Sequence, residues 1–235
     1  MIPVRQDRGG NKAEMIDVFD IMGPIMVGPS SSHTAGAVRI GRMARTLLGE
    51  RPVKAALHLH GSFAETGVGH GTDKALVAGL LGMAPDDFDI PNSFAVAEER
   101  GLKFTFDEID LRDAHPNSVR MEVAGESGKC LALQACSTGG GRILVNMIDG
   151  VALSFAGDYN TLIIHNRDDR GHVADVTYAL SQARVNVANM SLHRNERGGS
   201  AIMVIEMDEP VPLPILKLLE ELPGILRVTY YEKED

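Results

Sequence analysis

"TLIIHNRDDRGHVADVTYALSQARVNVANMSLHRNERGGSAIMVIEM", residues 161–207, carries the clearest fold signal in the chain. "TLIIH" (161–165) is apolar and β-branched and reads as a strand. After a polar loop, "GHVADVTYALSQA" (171–183) sets Val173, Val176, Leu180 and Ala183 at helical spacing. "VNVANMSLH" (185–193) alternates, with Val185, Val187, Asn189 and Ser191 on one parity, as a strand does. "NERGGS" (195–200) supplies the glycines of a hairpin turn, and "AIMVIEM" (201–207) is the returning strand. Further on, "PLPILKLLEEL" (212–222) is a helix with proline near its start, and "ILRVTYY" (225–231) is a last strand. The order is β-α-β-β-α-β, a ferredoxin-like arrangement. Both helices cover one face of the sheet, so the other face must be polar or be buried by a partner.

Upstream the pattern changes, with a boundary at "AGDYN" (156–160). In "AGAVRIGRMARTLLG" (35–49), Ala37, Ile40, Ala44, Leu47 and Leu48 share one helical face, and Arg39, Arg42 and Arg45 lie off it. "PVKAALHLHGS" (52–62) reads as a strand in which Leu57 and Leu59 alternate with His58 and His60. "TDKALVAGLLGM" (72–83) is a second helix with Ala75, Leu76, Gly79 and Leu80 as its buried stripe. "GLKFTFDEIDL", "NSVRMEVAG" and "GKCLALQACSTGG" supply further strands. The whole chain is therefore α+β, with an N-terminal α+β domain at 14–155 and a βαββαβ domain at 160–235.

Composition limits the function. With 235 residues, 44% of them hydrophobic, the chain can bury a sizeable core. A net charge of −9 and the lack of any Trp argue against a nucleic-acid partner, which asks for a basic face and stacking rings. No apolar run approaches the ~18 residues of a membrane span, and the polar opening "MIPVRQDRGGNKAEM" has no apolar signal core, so a soluble cytoplasmic protein is expected. The two cysteines, Cys130 and Cys136, suit a reducing compartment. They cannot by themselves ligate an iron–sulfur cluster, which usually takes four thiolates, and their spacing is not that of a zinc knuckle.

Four stretches could carry chemistry. "GPSSSHTAG" (28–36) precedes a helix, where one serine suffices as an N-cap. The additional hydroxyls of Ser30, Ser31, Ser32 and Thr34, together with free amides at the helix start, also suit a small carboxylate. His33 could move a proton near neutral pH. "TGVGHGTDKAL" (66–76) alternates Gly67, Gly69 and Gly71 before a helix, which fits a tight turn or a close backbone approach to a ligand, with His70 beside it. It is neither a P-loop nor a dinucleotide fingerprint. "AHPNSV" (114–119) is a turn into a strand that carries Asn117. "CSTGGGRI" (136–143) gives a bare backbone at Gly139 and Gly140, suited to a tight bend or to a nest of amides around an anion. His58 and His60 share a strand face, and with His70 they raise the weaker idea of a metal hydrolase. The loop "HNRDDRGHV" (165–173) is a solvated connection or a small-ligand or interface position.

Together "GPSSSHTAG", "GHGTDKALVAGLLG", "HPNSVRMEV" and "STGGGRI", in this order, resemble the beta-chain family of iron–sulfur-dependent L-serine dehydratases over about Asp17–Gly150. The segment Asn160–Asp235 resembles an ACT domain, a small module that often binds amino acids. The resemblance implies conversion of L-serine to pyruvate and ammonia. It also implies a [4Fe–4S] cluster whose ligands sit on a separate alpha subunit, with no metal ligand on this chain. On that resemblance, the open iron of the cluster would supply a Lewis acid for the substrate hydroxyl. His33 and His70 are then the catalytic candidates, and Ser30, Ser31, Ser32, Thr34, Asn117, Gly139 and Gly140 the residues that hold the substrate. The N-terminal block is also similar to the intervening domain of some D-3-phosphoglycerate dehydrogenases, but the nicotinamide-binding half is missing.

In the ACT-like segment the usual Pro-Gly before the helix is replaced by Arg170-Gly171. The positions that match polar serine-sensing groups are Asn166, Asp168 and Asn186. A carboxylate at Asp168 would repel a substrate carboxylate unless a cation intervened, so a monovalent-cation site or a docking surface for the alpha subunit competes with serine sensing. ACT sheets often pair, so a homodimer is expected. The alternative from another class is a non-catalytic, amino-acid-sensing regulatory subunit.

Overall fold

Alternation in β1 (Pro52–Leu59) sets the first layer, with Ala55, Leu57 and Leu59 buried and His58 on the opposite face. In the computed structural model residues 26–233 are described, and the expected domain start at residue 14 lies outside them. β1 pairs in parallel with β2 (Lys103–Glu108) and antiparallel with β3 (Ser118–Gly125). β4 (Cys130–Gly139), β5 (Arg142–Ile148) and β6 (Val151–Phe155) follow as an antiparallel meander. The result is a six-stranded sheet of order β2-β1-β3-β4-β5-β6. Val119, Met121, Val123, Leu131, Leu133 and Val145 line its buried face.

Two helices pack there at unusually short range. They are α1 (Ala37–Leu48) and α3 (Thr72–Leu81), with α2 (Ser62–His70) between them in sequence. Gly41 and Gly79 face each other across the crossing. A methyl on Gly79 would overlap the Val38 carbonyl, and one on Gly41 would overlap the Leu76 carbonyl. The arginines off the apolar stripe of α1 are not idle surface charge. Arg45 donates to the Leu80 carbonyl at 3.0 Å and Arg42 to the Gly82 carbonyl at 3.3 Å, so they satisfy orphan carbonyls at the end of α3.

The sequence pattern leaves residues 84–100 and 141–155 without a helix or strand assignment. They form the short helix α4 (Ser93–Glu99) and the strands β5 and β6, elements of seven, seven and five residues whose periodicity is too brief to stand out. The glycine run at 67–71 differs from its reading as a loop. Gly67 and Gly69 lie inside α2, and only Gly71, at φ 71° and ψ 25°, makes the joint to α3. Tertiary packing overrides the poor helix propensity of glycine here.

The second sheet contains β7 (Asn160–Arg167), β8 (Val187–Arg194), β9 (Ser200–Met207) and β10 (Ile225–Tyr231), in the order β10-β7-β9-β8 and antiparallel throughout. α5 (His172–Gln182) and α6 (Leu213–Glu221) cover one face, over Leu162, Ile164, Met203, Ile205 and Met207. The other face is closed by the same chain. Ile163, Ile202 and Val204 pack into the core of the first layer together with Tyr231. This explains why "AIMVI" is apolar at every position, because β9 is buried on both sides.

One polar cluster sits in that junction. Arg227 donates to Asp149 Oδ2 at 2.6 Å and lies 2.6 Å from His165 Nε2. A guanidinium only donates, so Nε2 is the acceptor and the ring hydrogen is on Nδ1. Burial and the Arg227 charge push His165 down to about 4, against the opposing pull of Asp149. The imidazole is therefore neutral at physiological pH. Among the described residues no helix is long and apolar enough to cross a membrane.

Candidate active site

The site is built where a helix begins without a regular first turn. Ser30, in extended conformation, accepts the His33 backbone N–H at 3.1 Å as a side-chain cap. Ser31–Gly36 then forms a π-type turn before α1 continues. Such widened turns recur at functional sites because they re-aim side chains that a regular helix would point elsewhere. Here the turn carries Ser31, Ser32, His33 and Thr34. Close packing fixes it from below. Gly36 lies against the Ser137 side chain, so that any Cβ at Gly36 would overlap the hydroxyl.

His33 is the centre of the cluster. Its Nε2 is 3.0 Å from Ser62 Oγ and its Nδ1 is 3.4 Å from Ser30 Oγ. Its ring centroid is 5.1 Å from that of His70, edge-on, and 5.5 Å from that of the buried Phe63. Burial lowers its basicity first and the neighbouring His70 adds to this, while the backbone at Ser62 opposes both. His33 therefore remains an unprotonated base at neutral pH, which suits proton abstraction. Thr34 donates to the His70 carbonyl at 3.4 Å, tying the π turn to the end of α2.

The other two motifs meet on the far side of the π turn. The Ser137 N–H donates to the Asn117 carbonyl at 3.0 Å, and the Asn117 side chain reaches the Ser137 carbonyl at 3.5 Å. Ser118 donates to the His115 carbonyl at 2.6 Å, which fixes the turn through Pro116. Gly139, Gly140 and Gly141 all have positive φ, at 101°, 60° and 78°. Ser32 Oγ lies 3.9 Å from the position a Gly139 Cβ would take. Arg39 on α1 holds the end of this loop through the Gly141 carbonyl at 3.0 Å.

The fold thus gathers Ser30, Ser31, Ser32, His33, Thr34, His70, Asn117, Gly139 and Gly140 around one turn. His70 and Gly140 stand exposed at its rim and Thr34 is buried in its floor. Two further hydroxyls belong to it that residue patterns do not single out. Ser62 reads as the tail of a strand, yet it opens α2 beside His33. The signal for it is a serine directly after a glycine that follows a strand, at a helix start. Ser137 Oγ is buried without a hydrogen-bond partner, an uncommon state that leaves its capacity free.

The ACT-like positions behave differently. Asn166 is buried, and its amide donates to the Arg167 carbonyl at 2.6 Å. Asp168 accepts from Arg194 at 3.0 Å and from the Gly198 N–H at 2.8 Å, and these partners hold its carboxyl below the usual range. Arg194 is the positive group beside it, and the pair pins the β8–β9 hairpin. Asn186 binds Asp208 and Glu209 instead. β7 runs from Asn160 opposite Met207 to Arg167 opposite Ser200, so Asn186, just before Val187, lies at the other end of the sheet from Asn166 and Asp168. Over a strand of this length that is roughly 20 Å. One chain does not bring the three into a single site.

The three histidines of the metal-hydrolase idea are also held apart. His58 pairs with Asp107 at 2.5 Å, His60 Nδ1 accepts the Leu111 N–H at 3.2 Å, and His70 meets the His33 ring edge-on. Among the described residues no group of three or more His, Cys, Asp or Glu is placed to hold a metal ion. Cys130 is exposed and Cys136 buried on the same strand, both as free thiols.

Comparison with known proteins matches two families along the chain. The serine dehydratase beta chain family matches residues 16–147, and the ACT domain family matches residues 160–224. The chain is 41% identical over 212 residues to the probable L-serine dehydratase, beta chain, of Bacillus subtilis, covering 90% of this chain and 96% of that one. It is 39% identical over 194 residues to the L-serine dehydratase, beta chain, of Peptoniphilus asaccharolyticus, covering 82% and 87%. A D-3-phosphoglycerate dehydrogenase of Bacillus subtilis is 26% identical over 193 residues, but these make up only 36% of that longer protein. The convergence of the four motifs on one turn and the match along nearly the whole length give the same answer: this chain belongs to the serine dehydratase beta chain family and carries a C-terminal ACT domain.

Proposed function

We propose that this chain is the beta subunit of an L-serine dehydratase that works, in the cytoplasm, with a separate iron–sulfur alpha subunit to convert L-serine to pyruvate and ammonia. The observation that carries the reading is His33, a base kept neutral by burial and ringed by hydroxyls, within a turn assembled from all four motifs. Two free thiols on one strand, one buried and one exposed, do not fit as hosts of a [4Fe–4S] cluster. The cluster belongs to the partner chain, and no step of the chemistry assigned to this chain runs through it.

What this chain supplies is binding and proton transfer. The hydroxyls of Ser31, Ser32 and Thr34 and the bare backbone of Gly139 and Gly140 hold the serine carboxylate at the start of α1, where the helix dipole favours negative charge. His33 takes the α-proton: the Cα–H bond breaks, an N–H bond forms on the imidazole, and the electron pair moves toward Cβ as the hydroxyl departs. The enamine that results hydrolyses without further help. The exposed rim at His70 and Gly140 leaves the site open on one side, which suits closure by a second chain.

An anaerobic serine deaminase assay tests this. Pyruvate should form only when this chain is combined with the alpha chain. Turnover by this chain alone, or full turnover by the alpha chain alone, overturns the proposal.

A further inference from the structure

An imidazole acts as a base through one nitrogen only, and the partner of the other nitrogen decides which one. Around His33 the two sides are unequal. Facing Nε2, Ser62 presents its hydroxyl at 3.0 Å, the closer of the two contacts. A hydroxyl at this range can accept from the ring, so this edge can hold a hydrogen on Nε2. Facing Nδ1, Ser30 Oγ already accepts the His33 backbone N–H at 3.1 Å and still has its own hydrogen to give. Its separation of 3.4 Å from Nδ1 makes that contact loose and easily displaced.

We infer that Ser62 is the positioning residue of His33, holding the neutral ring with its hydrogen on Nε2 so that Nδ1 is the nitrogen that accepts the proton. The inference rests on the reading of His33 as the base of the proposed reaction.

The rest of the structure keeps Ser62 in place. The preceding Gly61 has φ 55° and ψ −126°, a conformation foreign to other residues, and a Cβ there would come within 2.7 Å of the Pro116 carbonyl. The following Phe63 is fully buried and lies beside the His33 ring. Thr66 donates to the Ser62 carbonyl at 2.8 Å, which anchors that oxygen within α2. The ring is therefore clamped at one edge by a rigid strand-to-helix junction and is free at the other.

The experiment is nitrogen NMR on the full-length chain labelled at histidine, with His33→Ala used to identify the His33 signals, alongside turnover of the chain combined with its alpha partner. The parent should show the Nε2–H form. Ser62→Ala should shift the His33 signals toward a mixture of forms and lower kcat roughly 10- to 100-fold with little change in KM, the signature of a misplaced base. Ser62→Thr, which keeps the hydroxyl, should restore the Nε2–H form and most of the turnover. An Nδ1–H form in the parent, or unchanged His33 signals in Ser62→Ala, overturns the inference. If the signals shift as expected and turnover does not, the tautomer assignment stands and the reading of His33 as the base falls.

Discussion

The turn at Ser30–Gly36 and the loop at Asn166–Asp168 both place polar residues ahead of a helix, yet the fold treats them in opposite ways. In the first, hydroxyls from distant parts of the chain converge and are left with unused capacity, and Ser137 Oγ has no partner at all. In the second, the Asp168 carboxylate is already spoken for by Arg194 and Gly198, and the one atom left over is the buried Asn166 Oδ1, whose amide is bonded to the backbone beside it. A binding site keeps hydrogen-bonding groups that its own fold does not consume, because each is costly to leave unmade unless a ligand completes it. Around Asp168 the fold consumes them.

Substitution is the sharpest way to break this contrast. His33→Ala should lower turnover of the combined subunits by about 10²–10⁴-fold, the usual reach of a general base. Asp168→Ala, equally polar in sequence, should leave turnover within about two-fold and act only on the β8–β9 hairpin, since it removes a surface ion pair. Comparable losses from both would show that the two regions are not distinct in the way their hydrogen bonds indicate.

The scaffold under the first region comes next in size. Gly79→Ala should cost about 1–3 kcal/mol in denaturant unfolding, because the methyl meets backbone at the crossing with α1 and no side chain can move aside. An unchanged unfolding midpoint would show that the two helices separate freely.

A third test concerns the junction between the layers. His165 is lowered to about 4 in the fold, from an ordinary value of 6.5. A group depressed in this way stabilises the fold above its unfolded pKa and loses that contribution as pH falls through the folded one. The unfolded chain therefore takes up the extra proton between about pH 6.5 and 4, and stability declines across that window by up to about 3 kcal/mol from this group. His165→Gln, which retains an acceptor for Arg227, should flatten this part of the stability–pH curve. Parallel curves for parent and variant would place the titration elsewhere.

Legibility differed between the two sheets for a physical reason. The βαββαβ order could be read because each element is long enough to show its period, and because local turn chemistry such as Gly198-Gly199 marks the connections. The N-terminal layer was only partly legible. α4 is too short to show its period, and Gly67 and Gly69 sit in a helix against their own propensity. The site showed the same division. Ser30, His33 and Thr34 declare themselves as a dense polar run at a helix start. Ser62 does not, because its meaning comes from a contact with a residue 29 positions away.

By itself, the sequence determined the α+β class, the βαββαβ order of the second sheet, the serine- and glycine-rich motifs and a content of only two cysteines. All of these follow from local periodicity, local turn chemistry or composition. Only the tertiary structure decided that the second face of the ACT sheet closes on the chain's own first layer, that Asn186 lies away from Asn166 and Asp168, and that Ser62 holds His33. Each of these depends on which distant surfaces come into contact. That is settled by burial of the whole core and by close backbone crossings such as Gly41 on Gly79, and no local window of residues contains it.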